Sequence, residues 1–251
     1  MRIIPVMDIL NGVVVHAVKG KRSRYLPLQS SLCYSAEPVI VASEFRKCGF
    51  SELYIADLDA IQGTGSNFRD IHRIAKESRL KLMVDSGVSN LNDIEELLCS
   101  GVAKVVIGTE TLSRTDFIRQ AVKRFGEEKI VVSIDLKAGA VISQSLQLSA
   151  MSTEELAQRL EDSGVSELIV LDLTRVGSGE GVDFPLLKKL LSLLKLAVLV
   201  GGGVRNVSDL VALRNLGIHG VLVATALHNK SVSLDELQKI NMLAPKPQDK
   251  N

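Results

Sequence analysis

The amino-acid sequence predicts an α/β fold, a (β/α)8 barrel made of two repeated half-barrels. The first observation is an internal repeat: Gly49–Asp59 recurs as Gly164–Thr174, and Lys81–Asp93 recurs as Ala197–Asp209. The second is the alternation of short apolar runs with segments of helical period along the 251 residues. The third is that no linker separates the two halves. A repeated half exposes an apolar face that the other half can cover, so we expect one closed barrel.

The predicted barrel is a single domain over residues 1–243, with half-barrels at about residues 1–126 and 127–243. Residues 244–251 are polar and contain two prolines. Such a terminal segment has little to bury, and we expect it to form a flexible tail.

Eight apolar runs rich in Val, Ile and Leu predict the barrel strands, and the segments between them predict helices. The runs lack polar alternation, which is typical of parallel strands covered on both faces. The predicted strands are Arg2–Met7, Glu52–Ala56, Lys81–Val84, Lys104–Ile107, Ile130–Ile134, Glu167–Leu171, Ala197–Val200 and His219–Val223. The predicted helices are Ala36–Cys48, Asn67–Ser78, Asn90–Ser100, Arg114–Phe125, Ser152–Ser163, Asp183–Leu194, Asn206–Leu216 and Ser233–Ile240.

Local signals mark where several of these helices begin and end. Asn90 and Asn206 occupy N-cap positions, and Ser152 with Glu155 has the pattern of a capping box. Four glycines stand where helices should end: Gly49, Gly101, Gly164 and Gly217.

Composition excludes several classes of function. The net charge is +1, so no overall field attracts nucleic acid or an anionic membrane, and no apolar run is long enough to span a bilayer. The chain enters its first strand without a signal peptide, so we expect a cytoplasmic protein. The odd, scattered cysteines predict buried free thiols, and the histidines lack metal-ligand spacing, so we expect no metal. These residues are Cys33, Cys48, Cys99, His16, His72, His219 and His228.

The segment Leu10–Ser35 is too long for an ordinary strand-to-helix connection. Asn11-Gly12 is a hairpin turn signal, and Val13–Val18 is a further strand run. The segment then carries four cations within Lys19–Arg24. Such a loop could close over an anionic substrate at the mouth of the barrel, with Lys19 and Lys21 as candidate contacts. The alternative is a solvated surface hairpin.

Two aspartates end opposite strands of the predicted barrel. Asp8 follows strand 1 and Asp135 follows strand 5, and these strands face each other across the mouth. Catalytic groups of this fold sit at the carboxyl ends of strands. Two opposed carboxyl groups can act as general acid and general base if their surroundings separate their pKa values. The alternative is that each aspartate only caps the following helix.

Glycine turns after the later strands predict a phosphate site. The loops after strands 7 and 8 usually bind phosphate in this fold, through backbone N–H groups and a helix N-terminus. A second, equivalent site is expected half a turn away, after strands 3 and 4. The candidates for the first site are Gly177, Gly179, Gly202, Gly203, Ala224 and Thr225, and those for the second are Gly87, Gly108 and Thr109. Further strand-end residues are candidate substrate contacts: Asp57, Asp85, Asp172 and Thr174.

These motifs resemble the HisA/HisF family of histidine biosynthesis over essentially Met1–Met242. The matching segments are Ile3-Ile-Pro with Asp8, Ala56–Asp59, Val106–Thr109, Ser133–Asp135, Gly201–Arg205 and Gly220-Val221. The family contains an isomerase and a cyclase, both phosphate-binding barrels of two half-barrels. The resemblance implies a small substrate with a phosphate at each end, two catalytic aspartates at Asp8 and Asp135, and, for the isomerase, an aldose-to-ketose rearrangement without metal or organic cofactor.

The chain departs from the isomerase pattern at three places. Where the family shows Gly-Gly-Gly-Ile-Arg, this chain has Asp85–Ser89, which brings a carboxylate and removes an arginine. Ala224-Thr225 replaces Gly-Arg, and the loop after Asp135 lacks the family's Arg-Gly-Trp. We therefore predict a divergent paralogue that performs an isomerase-type reaction on a phosphorylated sugar or aminosugar. The histidine-pathway isomerase itself is an alternative.

A charged ring at the amino ends of the strands supports two further interpretations. In the cyclase, residues at the positions of this ring gate ammonia that arrives from a glutaminase-like subunit, so a cyclase- or lyase-type barrel fed by such a partner is a second functional class. The other interpretation of the ring is a salt-bridged plug. A barrel without catalysis is a third functional class, and the retention of Asp8 and Asp135 argues against it. The ring consists of Arg2, Glu52, Lys104 and Glu167.

Overall fold

A computed structural model describes residues 1–244 as one closed (β/α)8 barrel, which confirms the predicted fold class. Eight parallel strands pair in the order of the chain, and the last pairs with the first. The barrel strands are β1 (Arg2–Leu10), β4 (Glu52–Asp57), β5 (Lys81–Asp85), β6 (Lys104–Gly108), β7 (Ile130–Lys137), β9 (Glu167–Asp172), β10 (Ala197–Gly201) and β11 (Gly220–Val223). Three short strands lie outside this circle: β2 (Val13–His16), β3 (Leu26–Pro27) and β8 (Ala140–Val141).

The pairing of β1 with β11 closes the barrel. Arg2 is opposite Gly220, and the register continues to Pro5 opposite Val223. All eight barrel strands therefore have both edges hydrogen-bonded, and their side chains alternate between the barrel interior and the surrounding helices. Both environments are apolar, which explains why the strand sequences lack polar alternation.

Eight helices follow the barrel strands and cover their outer faces, as the periodicity predicts. They are α1 (Pro38–Lys47), α3 (Phe68–Glu77), α4 (Leu91–Cys99), α5 (Asp116–Phe125), α7 (Thr153–Glu161), α8 (Phe184–Leu193), α9 (Val207–Leu216) and α11 (Leu234–Lys239). Three shorter helices were not in the predicted set of eight: α2 (Leu58–Gln62), α6 (Leu146–Ser149) and α10 (Thr225–His228).

The predicted helix caps are present. The side chains of Asn90 and Asn206 accept hydrogen bonds from backbone N–H groups in the first turn of α4 and α9. Ser152 and Glu155 form a reciprocal capping box at the start of α7. The four predicted helix-end glycines all have positive φ angles, the conformation in which a glycine carries no side-chain penalty.

The segment after Asp8 folds as the predicted hairpin. Asn11 and Gly12 have φ angles of 53° and 76°, as a type I′ turn requires. The second strand ends at His16, two residues earlier than predicted, and pairs antiparallel with β1. It also pairs with the short β3, which follows a 3₁₀ turn over Arg22–Arg24. The basic segment is thereby attached to the carboxyl-end rim of the barrel.

The apolar core consists of two layers. The larger layer lies between strands and helices and includes Phe45, Phe50 and Ile71. The smaller one fills the barrel itself, which is a packed interior and not a pore. Its fully or nearly buried members include Ile4, Tyr54, Met83, Val106, Val131, Ile169, Leu199 and Leu222.

The predicted charged ring forms a salt-bridged network at the amino ends of the strands. Arg2 binds both Glu52, at 2.8 Å, and Glu167. Lys104 binds the other oxygen of Glu167. Because Glu167 is only 6% exposed, it is the buried acid to which both cations attach. The arrangement fits the plug interpretation, and whether a partner subunit docks below it stays a prediction.

One of the three cysteines differs from expectation. Cys33 and Cys48 are buried as predicted, whereas Cys99 is exposed, because it ends α4 on the helix's outer face.

No helix among residues 1–244 is long and apolar enough to cross a membrane. The predicted flexible tail lies outside the described residues except for Ala244.

We predict that Glu167→Gln lowers the free energy of unfolding by about 2 kcal/mol, because two partly buried cations lose their shared anion. Urea unfolding followed by circular dichroism measures this. The control is Glu95→Gln, which breaks the exposed pair with Arg124 and should cost less than about 1 kcal/mol. Equal losses in the two variants would contradict a central role for Glu167.

Candidate active site

A cavity of about 580 Å³ opens at the carboxyl ends of the barrel strands. Both predicted catalytic aspartates, Asp8 and Asp135, line it. All six candidates of the predicted later phosphate site line it as well: Gly177, Gly179, Gly202, Gly203, Ala224 and Thr225. Strand order therefore places the acidic candidates and the glycine turns around one space, as expected where parallel strands end at a common rim.

Asp8 and Asp135 lie on opposite strands and have different surroundings. No hydrogen bond reaches the Asp8 carboxyl group from the described residues; burial raises its pKa to about 7, and Arg22 partly offsets this. Asp135 is 4% exposed, and its carboxyl group accepts hydrogen bonds from Ser133 Oγ at 2.8 Å and from the Glu110 backbone at 3.1 Å. Burial raises the pKa of Asp135 to about 6, against the effect of those two donors.

Asp85 adds a third carboxyl group to the cavity. It ends β5, it is 7% exposed, and burial together with the nearby Asp135 charge raises its pKa to about 7. Gly108 lies between the two: a methyl group there would be 2.9 Å from Asp85 Oδ2 and 3.1 Å from Asp135 Oδ2. The two carboxyl groups therefore reach the same point, and the glycine leaves the space for both.

The glycine turn after β10 leaves its amides available. Within residues 1–244, the backbone N–H groups of Gly202, Gly203 and Thr225 have no protein acceptor. Gly202 and Gly203 have φ angles of 90° and 92°, and a methyl group on either would collide with a backbone carbonyl of the preceding loop. Only glycine permits this close approach, which presents several N–H groups to the cavity as anion-binding sites do.

In the first half, the amides equivalent to those of Gly203 and Thr225 are occupied. Gly87 donates to Asp85 Oδ1 at 3.0 Å, and Thr109 donates to the Ser133 carbonyl at 2.8 Å. The next amide, that of Glu110, donates to Asp135. Of the described residues, Gly87, Gly108 and Thr109 are not among those that line the cavity. In the first half the protein itself uses the Gly87 and Thr109 donors, and whether a phosphate binds there stays a prediction.

The basic loop crosses the mouth, but through a different cation from the two predicted. Arg22 lines the cavity and binds Glu110 at 2.6 Å, so the loop after β1 is joined to the loop after β6. Lys19 instead binds the exposed Glu180 at 2.7 Å, and neither Lys19 nor Lys21 is among the described residues that line the cavity. The two lysines therefore lie outside the cavity lining, and their contact with a substrate stays a prediction.

Three further candidates serve structural hydrogen bonds. Asp57 is 1% exposed, caps α2 and accepts two hydrogen bonds from Asn67. Asp172 accepts from the Thr174 backbone and from Arg175. The Thr174 hydroxyl accepts from the Ala138 backbone at 2.7 Å. None of the three candidates is among the described residues that line the cavity, and their contact with a substrate stays a prediction.

Sequence reasoning missed several residues that the fold brings to the site. Tyr54 lies in the barrel interior and points to the cavity, where burial and the nearby aspartates raise its pKa well above the usual range. His16, to which no role was given, holds Thr225 Oγ1 at 2.9 Å from its Nε2. The charged or aromatic lining residues outside the predicted set are Arg22, Tyr25, Tyr54, Glu110, Lys137, Arg175 and Arg205. Arg22 and His16 meet partners from distant parts of the chain, Glu110 and Thr225, which no local motif signals.

Comparison with known proteins identifies the family. The model of the histidine biosynthesis protein family matches residues 2–233. The chain belongs to this family. An uncharacterized protein of Methanocaldococcus jannaschii is 35% identical over 239 residues, which cover 94% of this chain and 97% of that protein.

Two relatives in the family carry the name of an enzyme, 1-(5-phosphoribosyl)-5-((5-phosphoribosylamino)methylideneamino)imidazole-4-carboxamide isomerase. The one from Listeria monocytogenes is 32% identical over 246 residues, 97% of this chain and 100% of that protein. The one from Bacillus cereus is 34% identical over 245 residues, with the same coverage. Family membership confirms the resemblance drawn from the sequence motifs.

We predict that Gly203→Ala weakens binding of inorganic phosphate at least about tenfold and costs about 2–3 kcal/mol of stability, because the methyl group meets the Gly181 carbonyl at a positive φ angle. Calorimetric titration and urea unfolding measure both effects. The matched control is Gly217→Ala, which has a φ of 99° but open space around the new methyl group. It should cost about 1 kcal/mol and leave phosphate affinity unchanged.

We predict that Asp85→Asn stabilises the protein increasingly as pH rises. The pKa of Asp85 is about 7 in the fold and about 3.9 in an unfolded chain. Its contribution to stability is therefore fully present below about pH 4 and is lost as pH rises towards 7. The variant's advantage in free energy of unfolding should grow to on the order of 2 kcal/mol at pH 8.

Denaturant unfolding at a series of pH values provides this test. Asp235→Asn, at an exposed position in α11, is the control and should give a difference that does not grow with pH. An advantage of Asp85→Asn that is constant over the series would contradict the raised pKa.

Proposed function

We propose that this chain is an isomerase-type enzyme that acts on a phosphorylated sugar or aminosugar by general acid–base catalysis through Asp8 and Asp135. The observation that carries the proposal is the arrangement of one cavity, with two carboxyl groups on opposite strands and a glycine turn with unoccupied amides beside them. The names of the relatives at 32–34% identity support the isomerase class.

An aldose–ketose or aminoaldose–aminoketose rearrangement moves a proton between neighbouring carbon and oxygen or nitrogen atoms without net oxidation. It needs one group that removes a proton and one that supplies a proton on the other side of the substrate. Carboxyl groups with ordinary pKa values are poor acids at neutral pH. Burial brings the pKa values of Asp8 and Asp135 to about 7 and 6, close to the range in which either can exchange a proton.

The surroundings of the two carboxyl groups favour a division of roles. Asp135 accepts two hydrogen bonds, which stabilise its ionised form, so it is suited to act as the base. Asp8 has no such donor among the described residues and is suited to hold the proton and act as the acid. Their positions on opposite strands let them approach a flat enol-type intermediate from two sides.

The phosphate of the substrate would bind where the amides of Gly202, Gly203 and Thr225 point into the cavity. Anchoring a remote phosphate fixes the reacting carbons relative to the two carboxyl groups, and such positioning is a large part of what this class of enzyme supplies. His16 supports the site by holding the hydroxyl group of Thr225.

The histidine-pathway isomerase itself is the alternative that the relatives' names favour. Against it stands the first-half turn, where Asp85 has replaced a glycine and the amides of Gly87 and Glu110 are taken up by carboxyl groups. A second phosphate would have to displace these hydrogen bonds and approach Asp85 and Asp135. The divergent-paralogue hypothesis follows from this obstruction.

We predict that Asp8→Asn and Asp135→Asn each lower kcat by about 10²–10⁴-fold, the usual contribution of a general acid or base, while the fold is retained. The readout is the proton–deuterium exchange at carbon that the protein catalyses in a panel of sugar phosphates, followed by NMR in D2O. Asp93→Asn, outside the cavity, is the control. Exchange at the wild-type rate in either variant would remove that aspartate from the mechanism.

We predict that the wild-type chain fails to replace the histidine-pathway isomerase in a deletion strain grown without histidine, when it is expressed and soluble. The missing arginine and the added carboxylate both act on the first-half phosphate, and a substrate displaced by about 1 Å can react on the order of 10²-fold more slowly. A variant with Asp85→Gly, Ser86→Gly and Ser89→Arg should improve growth. Robust colonies from the wild-type chain would instead assign it to that reaction.

A further inference from the structure

The cavity is divided into an anion-binding side and an acidic side. Gly202 and Gly203 after β10 and Thr225 after β11 supply the free amides of the first side, and Gly177 and Gly179 after β9 line it. The acidic side is formed by the ends of β1, β5 and β7, each of which carries a carboxyl group, and by the loop after β6. Its acids are Asp8, Asp85, Asp135 and Glu110.

Several polar atoms on the acidic side lack a partner within residues 1–244. Asp85 uses Oδ1 to accept from Gly87, while no group donates to its Oδ2. The Tyr54 hydroxyl also has no hydrogen-bond partner among these residues, although Tyr54 is only 3% exposed. No fully enclosed side-chain polar atom in the described part of the chain is unsatisfied. The two free groups therefore face the open cavity, where a ligand can reach them.

The cations of the cavity do not neutralise this side. Arg22 is bound to Glu110, and it offsets the pKa values of the three aspartates only in part. Arg175 and Arg205 belong to the anion-binding side and are held by Asp172 and Asp209. The remaining cation of the lining, Lys137, is exposed at the outer end of its strand. Asp8, Asp85 and Asp135 therefore share the charge of one arginine, Arg22, which is already paired with Glu110.

We propose that the substrate carries a single phosphate group and, at its other end, a protonated amine that binds between Asp85 and Asp135. This inference rests on the proposed function and names its substrate class. The phosphate takes the amides of the second half-barrel, because in the first half-barrel the amides of Gly87 and Thr109 already donate to Asp85 and to the Ser133 carbonyl. The ammonium group donates to Asp85 Oδ2, with the Tyr54 hydroxyl beside it.

An ammonium group fits the acidic side better than a metal ion. Within residues 1–244 no group of three or more His, Cys, Asp or Glu side chains is placed to hold a metal. An ammonium group needs only two or three acceptors at hydrogen-bond distance, and a charge-assisted hydrogen bond in a water-poor cavity is among the stronger single contacts available. Burial raises the pKa of Asp85 to about 7, and an ammonium group bound beside it would favour its ionised form.

The test compares two phosphate esters that differ in one group. Aminobutyl phosphate and hydroxybutyl phosphate have the same phosphate and chain length, and at neutral pH the first ends in an ammonium group. Isothermal titration calorimetry with the full chain should show that the amine ester binds at least about tenfold more tightly, the effect of one charge-assisted hydrogen bond. In Asp85→Asn this preference should fall to within about threefold.

Asp85→Asn is suitable because asparagine Oδ1 can still accept from the Gly87 amide, so the turn keeps its hydrogen bond. Asp235→Asn is the matched control and should retain the wild-type preference. Three results would each overturn the proposed amine specificity. The two esters could bind the wild-type chain equally, neither ester could bind more tightly than inorganic phosphate, or Asp85→Asn could keep the full preference.

Inorganic phosphate separates this inference from the proposed function. If phosphate binds to the wild-type chain and not to Gly203→Ala, while the two esters bind alike, the phosphate site stands and the amine specificity fails. If phosphate does not bind to the wild-type chain at all, the proposed function fails at its anchoring step, and the amine specificity fails with it.

Discussion

The hydrogen-bonded closure of β1 onto β11 is the constraint on which the site depends. It brings the glycine turn at residues 201–203 and the Ala224-Thr225 segment close to the strand that carries Asp8, although these segments lie near opposite ends of the chain. Closure also makes the barrel interior inaccessible below the rim, because a packed apolar layer and the salt-bridged ring around Glu167 fill it. Chemistry is therefore confined to the carboxyl-end rim, where seven of the eight barrel strands and the loop after β6 contribute residues to the same cavity.

The two half-barrels have kept one fold and diverged in chemistry. At the turn after β10, glycines hold the backbone so that amides point outward to the cavity. At the equivalent turn after β5, Asp85 accepts a hydrogen bond from the Gly87 amide. This turn therefore carries a carboxyl group where the other half-barrel has glycine. A single side chain changes the sign of the local charge because the turn offers few donors, and an internal carboxylate satisfies them as well as a phosphate would.

Desolvation governs the acids of the cavity. Asp8, Asp85 and Asp135 all have raised pKa values, for which burial is the main cause. Burying carboxyl groups in this way costs stability at neutral pH, and groups of this kind concentrate where a protein uses them. The fold tolerates the cost because the surrounding barrel is closed, capped and packed. The ion pair between Arg22 and Glu110 lowers the free-energy cost of burying these acids further, because it places one cation over the acidic side.

The sequence by itself determined the architecture, the helix caps and the main site positions. The repeat and the apolar runs define strands because each strand is buried on both faces, and Asn90, Asn206 and Ser152 act through hydrogen bonds within a few residues. Asp8, Asp135 and the glycines at 202 and 203 could be placed at the cavity for the same reason: strand ends are local features, and a barrel brings all strand ends to one rim.

Only the tertiary structure decided which of these groups are free and which are occupied. Asp57 and Asp8 both follow apolar stretches, yet the Asp57 carboxyl group accepts two hydrogen bonds from Asn67, whereas Asp8 lines the cavity. Arg22 and not Lys19 reaches the cavity, and His16 meets Thr225 from the other end of the chain. These contacts join residues far apart in sequence, and their energies depend on distance and burial. No local pattern contains either quantity, so the sequence located the candidates and the three-dimensional arrangement selected among them.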